Sequence, residues 1–567
     1  MRVPLAAVLL LLLGSLLAPA DESVVHSKHD LSVFGPGPIR AITETQVCIF
    51  CHAPHNASPA APLWNRHSPT AYYRIYRSRT TDARVDQPGP SSKLCLSCHD
   101  GSIALGLTLD RPLTDPILMT HPYLPSGPAN LANDLSDDHP VGFRYDRALA
   151  NRDRQLRVPD LVDHRIQLGQ RGELECVACH DPHNNELGNF LRITEREGTL
   201  CLTCHDMDGW RVSSHAVSPR TVPLTVTNGE QLPYRSLADN ACRSCHVPHT
   251  APQRERLLYD RPSQLCLDCH DGAGAINMLP VVEQRSGHRV NRLASLGRPP
   301  EQRLTAARFV ECTDCHNPHA VYGGPVARGL GTALEGPLVP PAMSYVPGVS
   351  LSGMPVYPAR FYYEVCFRCH ADRPVFVPDR IPRQQDDGGN VRRQFLPTAA
   401  SAHPVTFPGR NVGETPSLRP EFRARPLINC QDCHNNPDAL EAGGSGPNGP
   451  HSSRYNYLLV ARYETRDFTM ESPQTYALCY RCHDRNSILG DESFPLHRTH
   501  VVRGRSPCSA CHAAHGVSGS SAQHSHLINF NLAIVGGERF YVDTGRFSGS
   551  CTLTCHGLRH VNFTYAR

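Results

Sequence analysis

The stretch C-V-A-C-H-D-P-H at residues 176–183, followed about twenty residues on by C-L-T-C-H at 201–205, decides how the rest of the chain is read. Each half contains C-x-x-C-H, the attachment pattern of a c-type haem. Cys176 and Cys179 would form thioethers to the two vinyl groups of one porphyrin, and His180 would bind its iron; Cys201, Cys204 and His205 would hold a second. The spacing has a mechanical basis. In one helical turn, residues i, i+3 and i+4 share a face, so two thiols and an imidazole converge on one ring. His183 lies three residues beyond His180, behind Pro182. It cannot take the other side of its neighbour's iron, because axial ligands sit on opposite faces of the porphyrin. It is free to reach the second haem of the pair.

All 24 cysteines fall into such motifs, eleven C-x-x-C-H and one C-x-x-x-C-H. The first motifs of six successive pairs are Cys48/Cys51/His52, Cys176/Cys179/His180, Cys242/Cys245/His246, Cys312/Cys315/His316, Cys430/Cys433/His434 and Cys508/Cys511/His512. The second motifs are Cys95/Cys98/His99, Cys201/Cys204/His205, Cys266/Cys269/His270, Cys366/Cys369/His370, Cys479/Cys482/His483 and Cys551/Cys555/His556. A disulfide framework or a string of zinc ribbons needs no histidine straight after every second cysteine. Twelve such placements by chance have a probability on the order of 10⁻¹⁵. The pattern therefore calls for twelve haem c groups.

The remaining histidines repeat as well. Four first motifs continue as C-H-x-P-H, giving His55, His183, His249 and His319; the sixth gives His515. The fifth reads C-H-N-N-P, and a Gly/Asn/Pro insertion carries the same ligand to His451. A histidine also precedes each first motif: His29 (or His26), His139, His215, His288, His403 and His500 (or His497). These twelve are the candidate distal ligands of twelve bis-histidine irons, the upstream histidine serving the first haem of its unit and the downstream one the second. In the fifth unit His403 then goes with His434 and His451 with His483. His67, His121, His164, His524, His526 and His560 are left over. Methionine recurs at no repeat position, and Met/His ligation raises haem potential, so low potentials are expected.

Residues 1–20 read as a secretory signal peptide, with Arg2, an apolar run from Val3 to Leu17, and Ala18-Pro19-Ala20 before Asp21. The run is short for a membrane span, and no later stretch approaches spanning length. Dihaem units are expected at 21–120, 121–212, 213–285, 286–395, 396–490 and 491–567, with surface loops at 320–360, 373–400 and 435–453. Glycine (42) and proline (50) are abundant, which argues against ordinary cores and for short helices at the motifs, long irregular connections, little sheet and a core of stacked porphyrins. Apolar pairs at Phe190-Leu191, Leu257-Leu258 and Leu458-Leu459 are expected to pack on a ring face. The formal charge is +3, but two propionates per haem make the holoprotein acidic. The basic residues are nearly all Arg, Lys28 and Lys93 excepted, and the planar guanidinium suits propionates. Nothing indicates a nucleic-acid partner.

The pattern C-x-x-C-H-x-P-H … L-C-x-x-C-H-D at 176–206 and 242–271 resembles the doubled-CXXCH multihaem c-type cytochromes, and H-L-I-N-F (526–530) before G-S-C-T-L-T-C-H-G (549–557) is similar to the terminal unit of several members. The resemblance implies a multihaem cytochrome c fold and exported electron transfer, in the periplasm or at the outer membrane of a Gram-negative bacterium. It implies redox partner proteins, among them an outer-membrane conduit or an extracellular acceptor. Two alternatives stay open. One is a reductase of a nitrogen or sulfur oxyanion with one open haem, for which His556 is the candidate position; no C-x-x-C-K occurs. The other is a filament subunit that self-associates, with His26 and His29 as candidate donors to a neighbour.

Overall fold

The computed structural model describes residues 24–58, 61, 63–222, 231–288, 290, 310–323, 336–372, 380–409, 415–423, 425–519 and 521–566. The signal segment and parts of the expected loops at 320–360 and 373–400 lie outside them. The chain gathers into two compact units, residues 1–211 with 215–261, and residues 212–214 with 262–567. The division at 261/262 passes through the third motif pair. Among the described residues, no helix is long and apolar enough to cross a membrane.

Both units are mostly irregular, with described helices of at most ten residues. They form where the motifs are. Helix α1 (Pro90–His99) ends in C-L-S-C-H, with Gly89 as N-cap, Pro90 in the first turn, and Asp100-Gly101 (φ +68°) closing it. Helices α2 (Cys176–Cys179), α3 (Tyr362–His370) and α4 (Cys430–Cys433) carry other motifs. At Cys48–Phe50, Ala241–Ser244, Cys312–Asp314 and Cys508–Ala510 the motif turn is a 3₁₀ turn. Apolar clusters are small, and motif cysteines pack against them. Ala41, Phe50, Leu105, Ile117 and Met119 lie against Cys51 and Cys98. Met343, Val346, Ala359, Tyr362 and Val365 lie against Cys315, Cys366 and Cys430.

Strands are two-residue fragments with one exception. β1 (Ser286–Gly287) pairs antiparallel with β3 (Ser452–Ser453), and β2 (Ser401–Ala402) with β4 (Gly516–Val517). The exception is a three-stranded meander at the C-terminus, β5 (Val535–Gly545), β6 (Ser548–Cys555) and β7 (Leu558–Tyr565). It is more sheet than the composition led us to expect, and it holds the C-terminal motif on a strand instead of a helical turn. The local reason is legible. Thr552, Leu553 and Thr554 suit an extended chain, and His556-Gly557, with φ of 49° and 75°, forms a two-residue hairpin turn of the kind that needs two positive φ angles.

Arg66 is fully buried and donates to the carbonyls of Ser97 (3.1 Å), Ala104 (3.1 Å) and Leu105 (2.8 Å) and to the Ser97 hydroxyl (3.2 Å). It ties the chain after the first motif to the end of α1. Arg66→Met strands these acceptors in the interior and is expected to destabilise the N-terminal unit by about 3 kcal/mol, read as a fall in the guanidinium unfolding midpoint; an unchanged midpoint would contradict this role.

Candidate haem-binding sites

The motif histidines are set by a recurring backbone device. After the first motif the chain turns back through two consecutive residues with positive φ, at Asn189-Phe190, Arg256-Leu257, Tyr457-Leu458 and His526-Leu527. The following residue then bridges the motif histidine: Leu191 to His180, Leu258 to His246, Leu459 to His434 and Ile528 to His512. The turn aims a carbonyl at the imidazole. Nδ1–H donates to Asn189 (2.9 Å) from His180, to Arg256 (2.8 Å) from His246, to Tyr457 (2.9 Å) from His434 and to His526 (3.0 Å) from His512. His99 and His316 make the same bond to Ala129 and Ala342, both at 2.7 Å. A histidine whose Nδ1–H is held in this way presents Nε2 as its ligand atom. The apolar pairs expected to cover a ring face therefore have a backbone task too, and Phe190 stacks on the His29 imidazole at 4.1 Å.

Among the described residues, nine motif histidines face a second imidazole at nearly constant separation. Ring centroids are 6.0 Å apart for His52 and His183, 6.1 Å for His99 and His29, 6.2 Å for His180 and His249, and 6.3 Å for His205 and His139. In the C-terminal unit they are 6.0 Å for His316 and His451, 6.1 Å for His370 and His288, 5.9 Å for His434 and His515, and 6.5 Å for both His483 with His403 and His512 with His497. Two imidazoles on opposite sides of one metal, each with a bond of about 2 Å, have centroids roughly 6 Å apart. The facing rings thus fit a shared haem iron.

Their partners differ from the sequence expectation. His183, His249, His451 and His515 face the first motif of an earlier pair, not the second motif of their own; His29, His139, His288 and His403 face the second motif of their own unit, not the first. In particular His451 faces His316 and His403 faces His483. The reason lies in the backbone. Each upstream segment is tied to the downstream segment of a later motif: His139 N donates to Pro248 O (2.7 Å), His288 N to His451 O (3.0 Å) and His403 N to His515 O (3.0 Å). Nδ1 of His288 and His403 donates to Pro450 (2.7 Å) and Ala514 (2.5 Å). Strand pairs β1·β3 and β2·β4 are part of these ties. Two histidines far apart in sequence are thereby delivered together to adjacent sites.

His497, not His500, faces His512. His55 is exposed, and among the described residues no second imidazole faces it. His215 lies in the short helix Ser214–Val217, and the His319 amide donates to Asn317 Oδ1 (3.1 Å). His67 and His121 are exposed, while His526 pairs with Asp543 at 3.1 Å. Burial favours neutral imidazoles. It pushes His451, His497 and His515 down to about 3 and His29, His139, His205 and His483 to about 4, with nearby histidines adding to the shift. Neutral imidazole is the form that binds iron.

The thiols form two unbroken series in motif order. In the N-terminal unit Cys51 neighbours Cys98, Cys95 neighbours Cys176, Cys179 neighbours Cys204, and Cys201 neighbours Cys242. In the C-terminal unit the series runs Cys266 to Cys312, Cys315 to Cys369, Cys366 to Cys430, Cys433 to Cys482, Cys479 to Cys508 and Cys511 to Cys551 and Cys555. A latch holds some of these contacts. Glu175, buried just before Cys176, accepts from Gly89 N (3.1 Å) and from the Ser92 hydroxyl, and Ser92 Oγ accepts from Cys176 N (3.1 Å). Ser263 and Glu311 repeat it beside Cys266 and Cys312.

Cys242 and Cys245 end the first series, and Cys266 and Cys269 begin the second. Cys245 corrects the helical reading of its motif. It follows a 3₁₀ turn, Ala241–Ser244, and its own φ of −127° and ψ of −33° lie outside the helical range. The cause is the returning chain. The Cys245 amide still donates to Cys242 O (3.1 Å), but its carbonyl turns out to accept from Tyr259 N (3.2 Å), just past the positive-φ turn. A carbonyl committed sideways cannot continue a helix. The carbonyls of Cys179, Cys433 and Cys511 accept from Arg192 N, Val460 N and Asn529 N in the same way. Cys269 keeps the motif turn, its amide donating to Cys266 O (3.3 Å), and burial beside Asp268 and Asp271 pushes its thiol up.

The C-terminal motif is built differently. His556 sits in the hairpin turn, its Nε2–H donating to Asp467 at 2.8 and 3.0 Å and its ring stacked on Phe468 at 4.4 Å. Cys551 and Cys555, four residues apart in a strand, are about 13 Å apart along it, against roughly 5–6 Å in a helical turn. This extended stretch does not fit two thioethers to one porphyrin.

The family model for the doubled CXXCH motif matches the chain twice, over residues 170–209 and 235–275. The matched stretches contain the second motif pair, from Cys176 to His205, and the third, from Cys242 to His270. No curated protein matches the chain. The doubled motifs mark covalent haem c binding and, with it, the chemistry of a cytochrome electron carrier.

Glu175→Ala leaves the Gly89 amide and Ser92 hydroxyl without their acceptor, at a cost of about 1–3 kcal/mol. Amide exchange at Gly89 and Cys176 should quicken accordingly; protection unchanged at both would remove the latch from this account.

Proposed function

We propose that the protein is an electron conduit, an exported multihaem cytochrome carrying twelve haem c groups with two histidines on each iron. The observation that supports this reading is the succession of the motif cysteines, each motif neighbouring the next in sequence order within its unit, together with imidazoles facing at the separation a shared iron requires. Each haem supplies a one-electron iron couple. The chain's part is to fix neighbours and potentials. Motif histidines supply one ligand, oriented at His99, His180, His246, His316, His434 and His512 by Nδ1–H···O=C bonds. His29, His139, His183, His249, His288, His403, His451, His497 and His515 supply the second to nine irons. His215 and His319 are the histidines left at corresponding places in the sequence for His246 and His270.

The proposed partners are redox proteins met in the periplasm or at the cell surface, and within each unit electrons pass in motif order. Intact mass should show twelve haem additions on a polypeptide beginning at Asp21. Reduction should extend over a broad range of negative potentials; turnover of nitrite, hydroxylamine or tetrathionate by an open haem would favour a reductase instead.

His451→Ala tests the ligand set. It should convert one haem in twelve, the one attached at Cys312 and Cys315, to high-spin iron that binds carbon monoxide when reduced. A spectrum that stays wholly low-spin would remove His451 from coordination.

A further inference from the structure

Successive motif pairs meet where the first cysteine of a second motif neighbours the first cysteine of the next motif. Among the described residues these junctions are Cys95 with Cys176, Cys201 with Cys242, Cys266 with Cys312, Cys366 with Cys430 and Cys479 with Cys508. Two places in the sequence decide what lies beside each. One is the residue three before the earlier cysteine, and the other is the residue just before the later one. In order they hold Ser92 and Glu175, Gly198 and Ala241, Ser263 and Glu311, Tyr363 and Asn429, and Tyr476 and Pro507. Serine and glutamate occur together, twice, and neither occurs at these places without the other.

Glu175 is 3 % exposed, and among the described residues no arginine or lysine pairs with it. Its carboxylate is met by donors, the Gly89 amide at 3.1 and 3.2 Å from its two oxygens and the Ser92 hydroxyl. A Cβ on Gly89 would come within 2.1 Å of Glu175 Oε1, so a larger residue there would push the carboxylate away. Burial pushes the Glu175 pKa up, while the donors at Ser92 and Gly89 bind the ionised form and pull it back. The N-terminal end of α1, which Gly89 caps, favours the same form. At the second latch Ser263 donates to Glu311, and Cys312 Sγ lies 3.9 Å from Ser263 Oγ. The carboxylate is therefore one hydroxyl from a motif sulfur. The field of Glu175 opposes negative charge at Cys176, and that of Glu311 does so at Cys312.

The other three junctions hold no acid at either place. Gly198 is close-packed on Ala241, and the neighbouring Glu195 is paired with Arg243 at 3.5 Å. Tyr363 joins Phe361 and Phe367 in an apolar cluster, and Tyr476 joins Tyr480 and Val501 in another.

We infer that Glu175 and Glu311 set potentials, each lowering the reduction potentials of the two haems that meet at its junction. This rests on the proposal that haems are attached at these motifs. Reduction adds an electron, and a buried unpaired anion disfavours that more than an exposed or paired one. The conduit then has one low-potential haem pair in each unit, and electrons settle on the haems to either side of it.

The test is a spectroelectrochemical titration of the purified holoprotein. Glu175→Gln removes the charge and keeps the side chain's size. It should move two of the twelve reduction steps to higher potential, with twelve haem additions still present by mass. Glu175→Asp keeps the charge but falls one methylene short of Gly89 and Ser92, so the latch loosens while the two steps stay near their wild-type positions. Glu311→Gln should move a different two steps, and it keeps the inference open to test where Glu175→Gln fails to mature. Steps unmoved in either glutamine variant, or moved alike by Glu175→Asp and Glu175→Gln, overturn the inference and leave the conduit standing. A wild-type peptide that carries Cys95 and Cys98, or Cys176 and Cys179, without haem overturns attachment at that junction, and with it this role for Glu175.

Discussion

The arrangement depends on backbone hydrogen bonds that join one repeat to another. The segment before a first motif lies against the segment after a later first motif, through His139 to Pro248, His288 to His451 and His403 to His515. These bonds, about 1 kcal/mol each in net stability, are modest as energies. As constraints they matter more, because each places two imidazoles at two neighbouring sites at once. Four repeats are therefore incomplete alone: His52, His180, His316 and His434 each face a ring contributed by a later repeat. Local apolar clusters of four or five buried residues do not by themselves fix such pairings, since apolar packing is non-directional.

The same logic explains the geometry of single sites. An imidazole has two nitrogens, and only when one is engaged does the other acquire a defined direction. Carbonyls from positive-φ turns engage Nδ1 at His180, His246, His434 and His512, and the carbonyls of Pro450 and Ala514 do so at His288 and His403. The C-terminal hairpin inverts this. Asp467 engages Nε2 of His556, and a histidine on the next strand stands over the cysteines. One inserted residue between two cysteines is enough, because a helix and a strand present different residues of the same sequence on one face.

Contacts between thiols also give the chain a direction. Contacts alternate between the later cysteines of two motifs, as at Cys51 and Cys98, and the earlier ones, as at Cys95 and Cys176. Ser92 with Glu175 and Ser263 with Glu311 hold contacts of the second kind from outside. For the conduit we propose, this alternation supplies two kinds of junction between successive sites, each set by a different part of the motif.

Much of this was legible in the sequence. The cysteine motifs, the histidine after each, the recurrence of two further histidines per unit, and the irregular chain with turns at the motifs all follow from spacing and composition, because covalent attachment and helical periodicity act over four or five residues. Even the displaced histidine of the fifth repeat, His451, could be found by its place in the pattern. The exact form of each turn was less so: Cys245 leaves the helical range because a segment fourteen residues on claims its carbonyl. Which ring faces which could not be read at all. His183 and His52 are 131 residues apart in numbering, and their approach depends on hydrogen bonds between segments whose sequences carry no mark of each other. The terminal hairpin lay between these cases. Its signals, alternating Thr-Leu-Thr and a His-Gly turn, were present at 552–557, but a motif read in helical phase hides them. Only the strand register, which sets Leu553 opposite His560, decides which histidine shares a face with the cysteines.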